Sequence, residues 1–440
     1  MTPALYHVPN ASHVQEYRPF GRLIPPALVI YACMLPRELT FEVLGIAFFP
    51  YRTALVLMLP YFIFKAIRSN IRPSAADFLV LFAAVWAVIA LTVVENFASA
   101  SVVALADAID FILAYFVGRV SIRDGRDLKN LVPLIIPGLL LSTLIMAAES
   151  FSHQIILRSS LGQLFGRAET FMVEERLGLM RATGPFLHPI LGGVFLSSFL
   201  PLIWYLIERP WLKAIGIVGI TGFFFSLSST GFLAFIVATG LIVASTTQRV
   251  TRLPIFVMLG VGLGALFTAV ALISENGLFS FIVRRLTLSS GTGYFRMLIW
   301  EHAGAEVLNH PIFGIGTREY SRPAWMISSS VDAHWLLLAL RYGFPHMIPS
   351  LLVMLIATFV SLRGTLSLQH LDRMAGYALG FSLVAIIFTG LSVSIWEGVD
   401  AWMTMLTGMA ISFGQHVSTA GRAVFTPMQF AVRQPELHRA

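Results

Sequence analysis

The chain has 440 residues, 57% hydrophobic and only 12% charged, with a mean hydropathy of +0.78. A soluble domain carries about one-quarter charged residues, so this composition excludes the soluble class and indicates a polytopic membrane protein. Its net charge of +7 follows from basic loops kept on the cytoplasmic side of a membrane, so nucleic acid is not an expected partner. The single cysteine, Cys33, leaves no intramolecular disulfide and no thiolate metal cluster.

Residues 1–22 lack the charged start and apolar core of a cleavable signal peptide. They read as a cytoplasmic tail before a retained anchor. Apolar windows of about 17 to 21 residues suffice to cross a bilayer as helix. They fall at 54–72, 76–94, 100–118, 130–148, 189–207, 212–228, 230–246, 254–273, 345–362, 374–394 and 399–415. A shorter window at 23–35, broken by Pro25-Pro26 and Pro36, brings the expected total to about twelve. The segment Phe41 to Phe49 either dips into the membrane or packs on the other helices.

Loop charge sets the orientation, because Lys and Arg resist translocation. With the N-terminus cytoplasmic, the inner loops hold Lys65, Arg68 and Arg72; Arg119, Arg123, Arg126 and Lys129; Arg209 and Lys213; Arg249 and Arg252; Arg363 and Arg373. Only the first outer connection, with Arg37 and Arg52, runs against the trend. The expected organisation is a cytoplasmic tail (1–22), N-terminal helices (23–148), a first outer loop (149–188) and central helices (189–273). A second outer loop (274–344), C-terminal helices (345–415) and a cytoplasmic tail (416–440) follow.

The first loop ends in Arg181-Ala-Thr-Gly184-Pro185-Phe-Leu-His188-Pro189. Glycine and proline fix a turn there, and Arg181 is left where it meets either an anionic ligand or lipid phosphate. Upstream, Arg158 to Arg176 mixes charges with Ile155, Leu157, Leu161 and Phe165, a pattern that predicts a helix lying on the outer surface.

A connection as long as 274–334 tends to be functional. It holds Arg284, Arg285, Arg296, His310, Arg318, Arg322 and His334. Phe295 to Asn309 reads as a helix with Arg296 and Trp300 on one face, ended by Asn309-His310-Pro311 and the turn Gly314-Ile-Gly316. The next helix is expected to open at Ser330 to Asp332 and run to Arg341, with a serine or aspartate capping its free amides. His334 then sits in the first turn, where the helix dipole favours a neutral ring able to act as a base. Within the spans, Asp107 and Asp110 share one helical face. Hydrogen bonding inside the bundle is the expected role, a proton or cation relay the rival. Glu397 and Asp400 either face sugar or bind water.

Four elements in order carry a resemblance: Arg181-x-x-Gly184-x-Phe186-x-His188-Pro189, Arg296-x-x-x-Trp300, His310-Pro311-x-x-Gly314-x-Gly316, and His334 opening a helix. Over residues 180–345 the chain resembles the O-antigen ligase and O-antigen polymerase superfamily of bacterial envelope glycosyltransferases. The resemblance implies an all-α, GT-C-like protein of the bacterial inner membrane with two long periplasmic loops. It also implies a glycan donor on undecaprenyl pyrophosphate and chemistry without metal or other cofactor. Carried over by position, Arg181 and one of Arg284 and Arg285 would hold the pyrophosphate, with Arg296 a further candidate, and His334 would be the general base. His310, Arg322 and Arg341 are secondary candidates for binding substrate.

Departures bear on the branch. Trp335 stands where the family often has Asn, Arg341-Tyr-Gly343 where it often has Glu-x-Gly, and Ser229-Thr230-Gly231 where a Ser-Arg-Gly is frequent. Arg322-Pro323-x-Trp325-Met326 is similar to the exopolysaccharide branch. That branch implies a polymerase with a lipid-linked acceptor and a chain-length regulator among its partners. The rival acceptor is lipid A core, which would make the protein a ligase. The rival class is a polysaccharide transporter or flippase working through Asp107 and Asp110.

Overall fold

The computed structural model describes residues 23–43, 45–69, 71–95, 97–167, 174–251, 290–367 and 369–425. The span expected at 254–273, together with Arg284 and Arg285, lies outside the described residues. The molecule is a helical bundle: α1 (Ile24–Cys33), α2 (Pro50–Ser69), α3 (Ala75–Val94), α4 (Phe97–Ser121), α5 (Gly125–Ser152), α6 (Leu157–Leu164), α7 (Pro189–Ser198), α8 (Leu200–Leu206), α9 (Pro210–Ile220), α10 (Gly222–Phe225), α11 (Ser229–Thr251), α12 (Ser290–Asn309), α13 (His334–Tyr342), α14 (Phe344–Arg363), α15 (His370–Thr389) and α16 (Glu397–Phe425). Among the described residues six stretches are long and apolar enough to cross a membrane: Ala75–Val94, Gly125–Ser152, Pro189–Leu206, Ser229–Gln248, Phe344–Leu366 and His370–Thr389.

Local chemistry places the helix ends. Asp124 caps α5 by accepting from the amides of Arg126 and Asp127, and Asp77 in the first turn of α3 reaches back to accept the Ser74 backbone N–H at 2.7 Å. Proline at the first turn opens α7, α9 and α14, where its missing N–H costs nothing. In a membrane, close helix approach needs small residues, and α4 and α16 supply them reciprocally. A Cβ built on Gly118 would lie 1.9 Å from the Met405 carbonyl oxygen, and one on Gly408 would lie 2.1 Å from that of Tyr115. Their backbones therefore touch. Trp402 of α16 stacks on Phe199 at 4.6 Å and donates its indole N–H to Ser198 Oγ at 2.9 Å, joining this pair to α7.

Four expectations change. The segment from Phe41 to Phe49 forms strands: after a short 3-10 turn at Arg37–Leu39 it pairs as a hairpin of β1 (Phe41–Val43) and β2 (Ile46–Phe48), with Phe41 and Phe48 stacked. Of the described part of the surface helix expected over 158–176, only α6 is helical. Gly166 turns the chain at φ +65°, and β3 (Glu175–Arg176) with β4 (Leu179–Met180) forms a second hairpin. Helix α13 begins at His334 with Ala333 as its cap residue, so neither Ser330 nor Asp332 caps it. The final helix runs to Phe425, well past 415.

The second loop is tied to α13 rather than draped over it. Ile315 and Gly316 donate their amides to the carbonyls of Leu340 and Arg341 at 2.7 and 3.1 Å, and Phe344 donates to Pro311 at 2.8 Å. Gly314 and Gly343 hold φ of +66° and +79°, and a Cβ on either would collide with backbone. Only glycine fits these turns. Phe313 stacks on Trp86 of α3 at 5.5 Å, which fixes the loop to the bundle.

Candidate functional site

The first loop is ordered by two buried charges, Glu149, which the sequence did not single out, and Arg158, which it placed on a surface helix. Glu149, at the end of α5, is fully buried. Its Oε2 accepts from the amides of Thr183 and Gly184 at 3.1 and 2.7 Å, and its Oε1 from those of Ile156 and Leu157 at 3.2 and 3.4 Å. Arg158, expected on a surface, is buried; it pairs with Glu38 at 2.7 Å and donates to the Leu187 carbonyl at 3.0 Å. A charge can stay inside only when paired and hydrogen-bonded in this way.

This framework sets the position of Arg181. Its backbone N–H donates to the Glu174 carbonyl at 2.9 Å, and that of Ala182 to the Phe225 carbonyl at 3.0 Å, which lays the segment along the end of α10. Arg181 is 7% exposed, so it does not snorkel to the surface. Its guanidinium bonds the Glu174 carboxylate and reaches the Ser226 carbonyl at 3.4 Å. Arg176 donates to the neighbouring Leu227 carbonyl at 3.2 Å and lies 3.7 Å from Glu174. Burial opposes ionisation of Glu174, but the bond and charge of Arg181 outweigh it and hold its carboxyl below the usual range.

The second loop delivers Arg296 to the same place. It is 6% exposed, with Nη2 3.5 Å from Thr230 Oγ1 and a buried Nε–H that meets no hydrogen-bond acceptor among the described residues. Burial first, and then the charges of Arg176 and Arg181 against the opposing pull of Asp332, lower its pKa. Arg181, Arg176 and Arg296 reach Ser226, Leu227 and Thr230, neighbours in one short stretch of chain, so arginines of both loops converge there. His188 belongs here too. It caps α7 by accepting the Ile190 amide on Nδ1 at 3.2 Å, and burial followed by the Arg181 charge pushes its pKa down to about 4. Its ring lies 6.1 Å from that of Trp396. Three guanidinium groups opposed by Glu174 and Asp332 leave an excess of positive charge in a water-poor setting, which suits an anion with several acceptor oxygens.

Trp396 also lines a cavity of about 250 Å³ that extends into the bundle. His334, Arg341, Asp107, Asp110 and Asp400 share this cavity with Tyr51 and Tyr342. His334 is 4% exposed; its Nδ1 accepts the Ile395 amide at 3.3 Å, and burial above all drives its pKa to about 3. The neutral ring expected from the sequence is therefore produced mainly by burial. Arg52, the exception in the charge count, is buried against α4. Its Nη2 is 2.8 Å from Asp110 and 3.4 Å from Asp107, and its Nη1 donates to Ala47 at 2.6 Å. The carboxylate pair thus makes ion pairs inside the bundle.

The structure brings Arg181 and Arg296 together and puts His334 and Arg341 in the adjoining cavity. His310 stands apart, half exposed, with Nε2 3.3 Å from Glu306 one helical turn back. Arg322 organises its own loop, donating to the Met326 carbonyl at 2.9 Å and pairing with Glu319 at 2.8 Å. Arg176 and His346 were missed; the sequence clue for His346 was a histidine directly after Pro345, at the opening of an apolar helix. Among the described residues no three His, Cys, Asp or Glu side chains group as a metal site. Neither a protein-family model nor a curated protein matches this chain by sequence.

Proposed function

We propose that this protein is an inner-membrane glycosyltransferase that polymerises undecaprenyl-pyrophosphate-linked repeat units into a surface polysaccharide, working on the periplasmic face. The observation that carries the reading is the convergence of Arg176 and Arg181 from one loop with Arg296 from the other on the stretch from Ser226 to Thr230, beside a cavity holding His334. On this reading the arginines hold the pyrophosphate and stabilise the charge it gains as the glycosidic phosphate bond breaks. His334 and Arg341 contact the acceptor side, and no metal is needed for a leaving group already bound by guanidinium. The six long apolar stretches, with α1, α2, α4, α9–α10, α16 and the segment 254–273, would then make about twelve crossings in a GT-C-like arrangement.

Purified protein incubated with the host's lipid-linked repeat units tests the proposal. A glycan ladder growing on the pyrophosphate lipid supports polymerisation, and a single transfer onto added lipid A core supports the ligase alternative. Absence of both products, with movement of lipid-linked glycan across a vesicle bilayer, supports a flippase. The partly open carboxylate of Asp107 in the bundle cavity is the observation behind that last reading.

A further inference from the structure

Two buried histidines share the bundle cavity, and their backbone partners give them opposite tautomers. The Nδ1 of His346 lies 2.8 Å from the carbonyl oxygen of Ala83, and the residue is 7% exposed. A carbonyl only accepts, so Nδ1 carries the hydrogen and the lone pair of the neutral ring resides on Nε2. At His334 the partner is the Ile395 amide, which only donates. There Nδ1 holds the lone pair, and Nε2 carries the hydrogen. Among the described residues neither Nε2 has a hydrogen-bond partner, and both histidines line the same cavity.

A hydroxyl group needs one donor and one acceptor, and this pair offers both. We propose that the cavity is the acceptor subsite, taking the terminal sugar of the receiving glycan, and that His346 Nε2 removes the proton from its attacking hydroxyl. The proposal rests on the glycosyltransferase reading. The acceptor oxygen accepts from His334 Nε2–H and donates to His346 Nε2. It then bonds the anomeric carbon of the donor as the bond from that carbon to the pyrophosphate oxygen breaks. The electron pair leaves with the pyrophosphate onto the arginines, and the proton stays on His346 until solvent takes it.

The lining suits a carbohydrate. Asp107, Asp400 and Glu397 can accept from sugar hydroxyls, while Trp396, Tyr51, Phe111 and Tyr342 offer flat apolar faces. About 250 Å³ is at the small end of ligand pockets, which run from about 300 Å³ upward, and fits one sugar better than a chain. The charged and titratable groups that line the cavity with His346 are Asp107, Asp110 and Tyr115 of α4, Tyr51 of α2, His334, Arg341 and Tyr342 of α13, and Glu397 and Asp400 of α16. Neither α3 nor α15 contributes one.

The test compares wild type, His346→Gln and His334→Gln in proteoliposomes with the host's lipid-linked repeat units. His346→Gln is expected to slow transfer about 100-fold or more at unchanged donor KM, and to flatten the rise of rate with pH. His334→Gln is expected chiefly to raise acceptor KM. Wild-type rate and pH profile in His346→Gln overturn the proposal. Should that variant not fold, diethylpyrocarbonate labelling of the wild type decides. Released repeat-unit oligosaccharide is expected to shield His346, and undecaprenyl pyrophosphate alone is not. A His346 that the sugar fails to shield, or that the reagent never reaches, also overturns the proposal. Arg181→Ala separates the two readings: loss of donor use there with normal transfer by His346→Gln removes this inference alone. If the wild type transfers nothing, the glycosyltransferase reading fails, and the labelling still reports whether the cavity holds sugar.

Discussion

Gly184 donates its backbone N–H to Glu149 Oε2 at 2.7 Å, and through that carboxylate the end of α5 holds both the start of α6 and the segment carrying Arg181. Glu149→Gln keeps the shape but turns an acceptor into a donor facing donors. Each amide left unpaired costs about 1–3 kcal/mol. The expected result is a lower melting temperature and faster proteolysis within the first loop, with a raised donor KM. Limited proteolysis with a thermal melt measures it.

Arg158 and Glu38 form a buried pair, so removing one charge strands the other. Arg158→Met is expected to cost about 3–5 kcal/mol, and the double change with Glu38→Leu to recover most of it. Melting temperatures of the two single variants and the double provide the check; additive losses would refute the coupling.

Arg181 and Arg296 are the anion-binding pair of the proposed function. Arg181→Lys keeps the charge but loses the planar fork, so it is expected to rescue little. Either alanine variant is expected to lower kcat by about 10²–10³ while the protein remains monodisperse. Rates measured against donor concentration separate the binding and chemical effects.

Asp110 and Asp107 predict unequal costs. Asp110 is largely enclosed and takes the closer Arg52 contacts, at 2.8 to 3.0 Å, whereas the Asp107 side chain is 53% exposed and 3.4 Å away. Asp110→Asn is expected to destabilise by about 3–5 kcal/mol, and Asp107→Asn by about 1 kcal/mol or less. Denaturation midpoints compare them. Loss of glycan movement in folded Asp107→Asn, with tolerance of Arg181→Ala, would favour a flippase.

The acid limb of stability is assigned to His188 and His334. Their pKa values, about 4 and about 3, lie below the ordinary 6.5, so the unfolded chain binds more protons over that interval. Their stabilising contribution is complete above pH 6.5 and is lost as pH falls toward 4 and then 3. His188→Asn preserves a capping acceptor and is expected to make melting temperature less sensitive to pH in that window. An unchanged pH dependence would count against it.

The helical pattern was legible because apolar windows, prolines and caps are local signals: the segments at 76–94, 130–148, 230–246 and 345–362 match α3, α5, α11 and α14 closely. Arg52 was legible as an anomaly but not explained, since its partners lie 55 and 58 positions away. The first loop was misread because amphipathic spacing after Arg158 looks alike whether the arginine faces lipid headgroups or a buried glutamate. His346 carried too weak a local sign to weigh.

Composition and periodicity by themselves determined the helical membrane class and the place of most described helices, because burial of apolar surface and helix capping depend on residues close in sequence. Only the tertiary structure decided that Arg181 and Arg296 meet, that Asp107 and Asp110 belong to Arg52, and which nitrogen of each cavity histidine carries the hydrogen. Those outcomes depend on through-space charge and on backbone donors and acceptors contributed by distant segments, and a linear pattern holds no record of them.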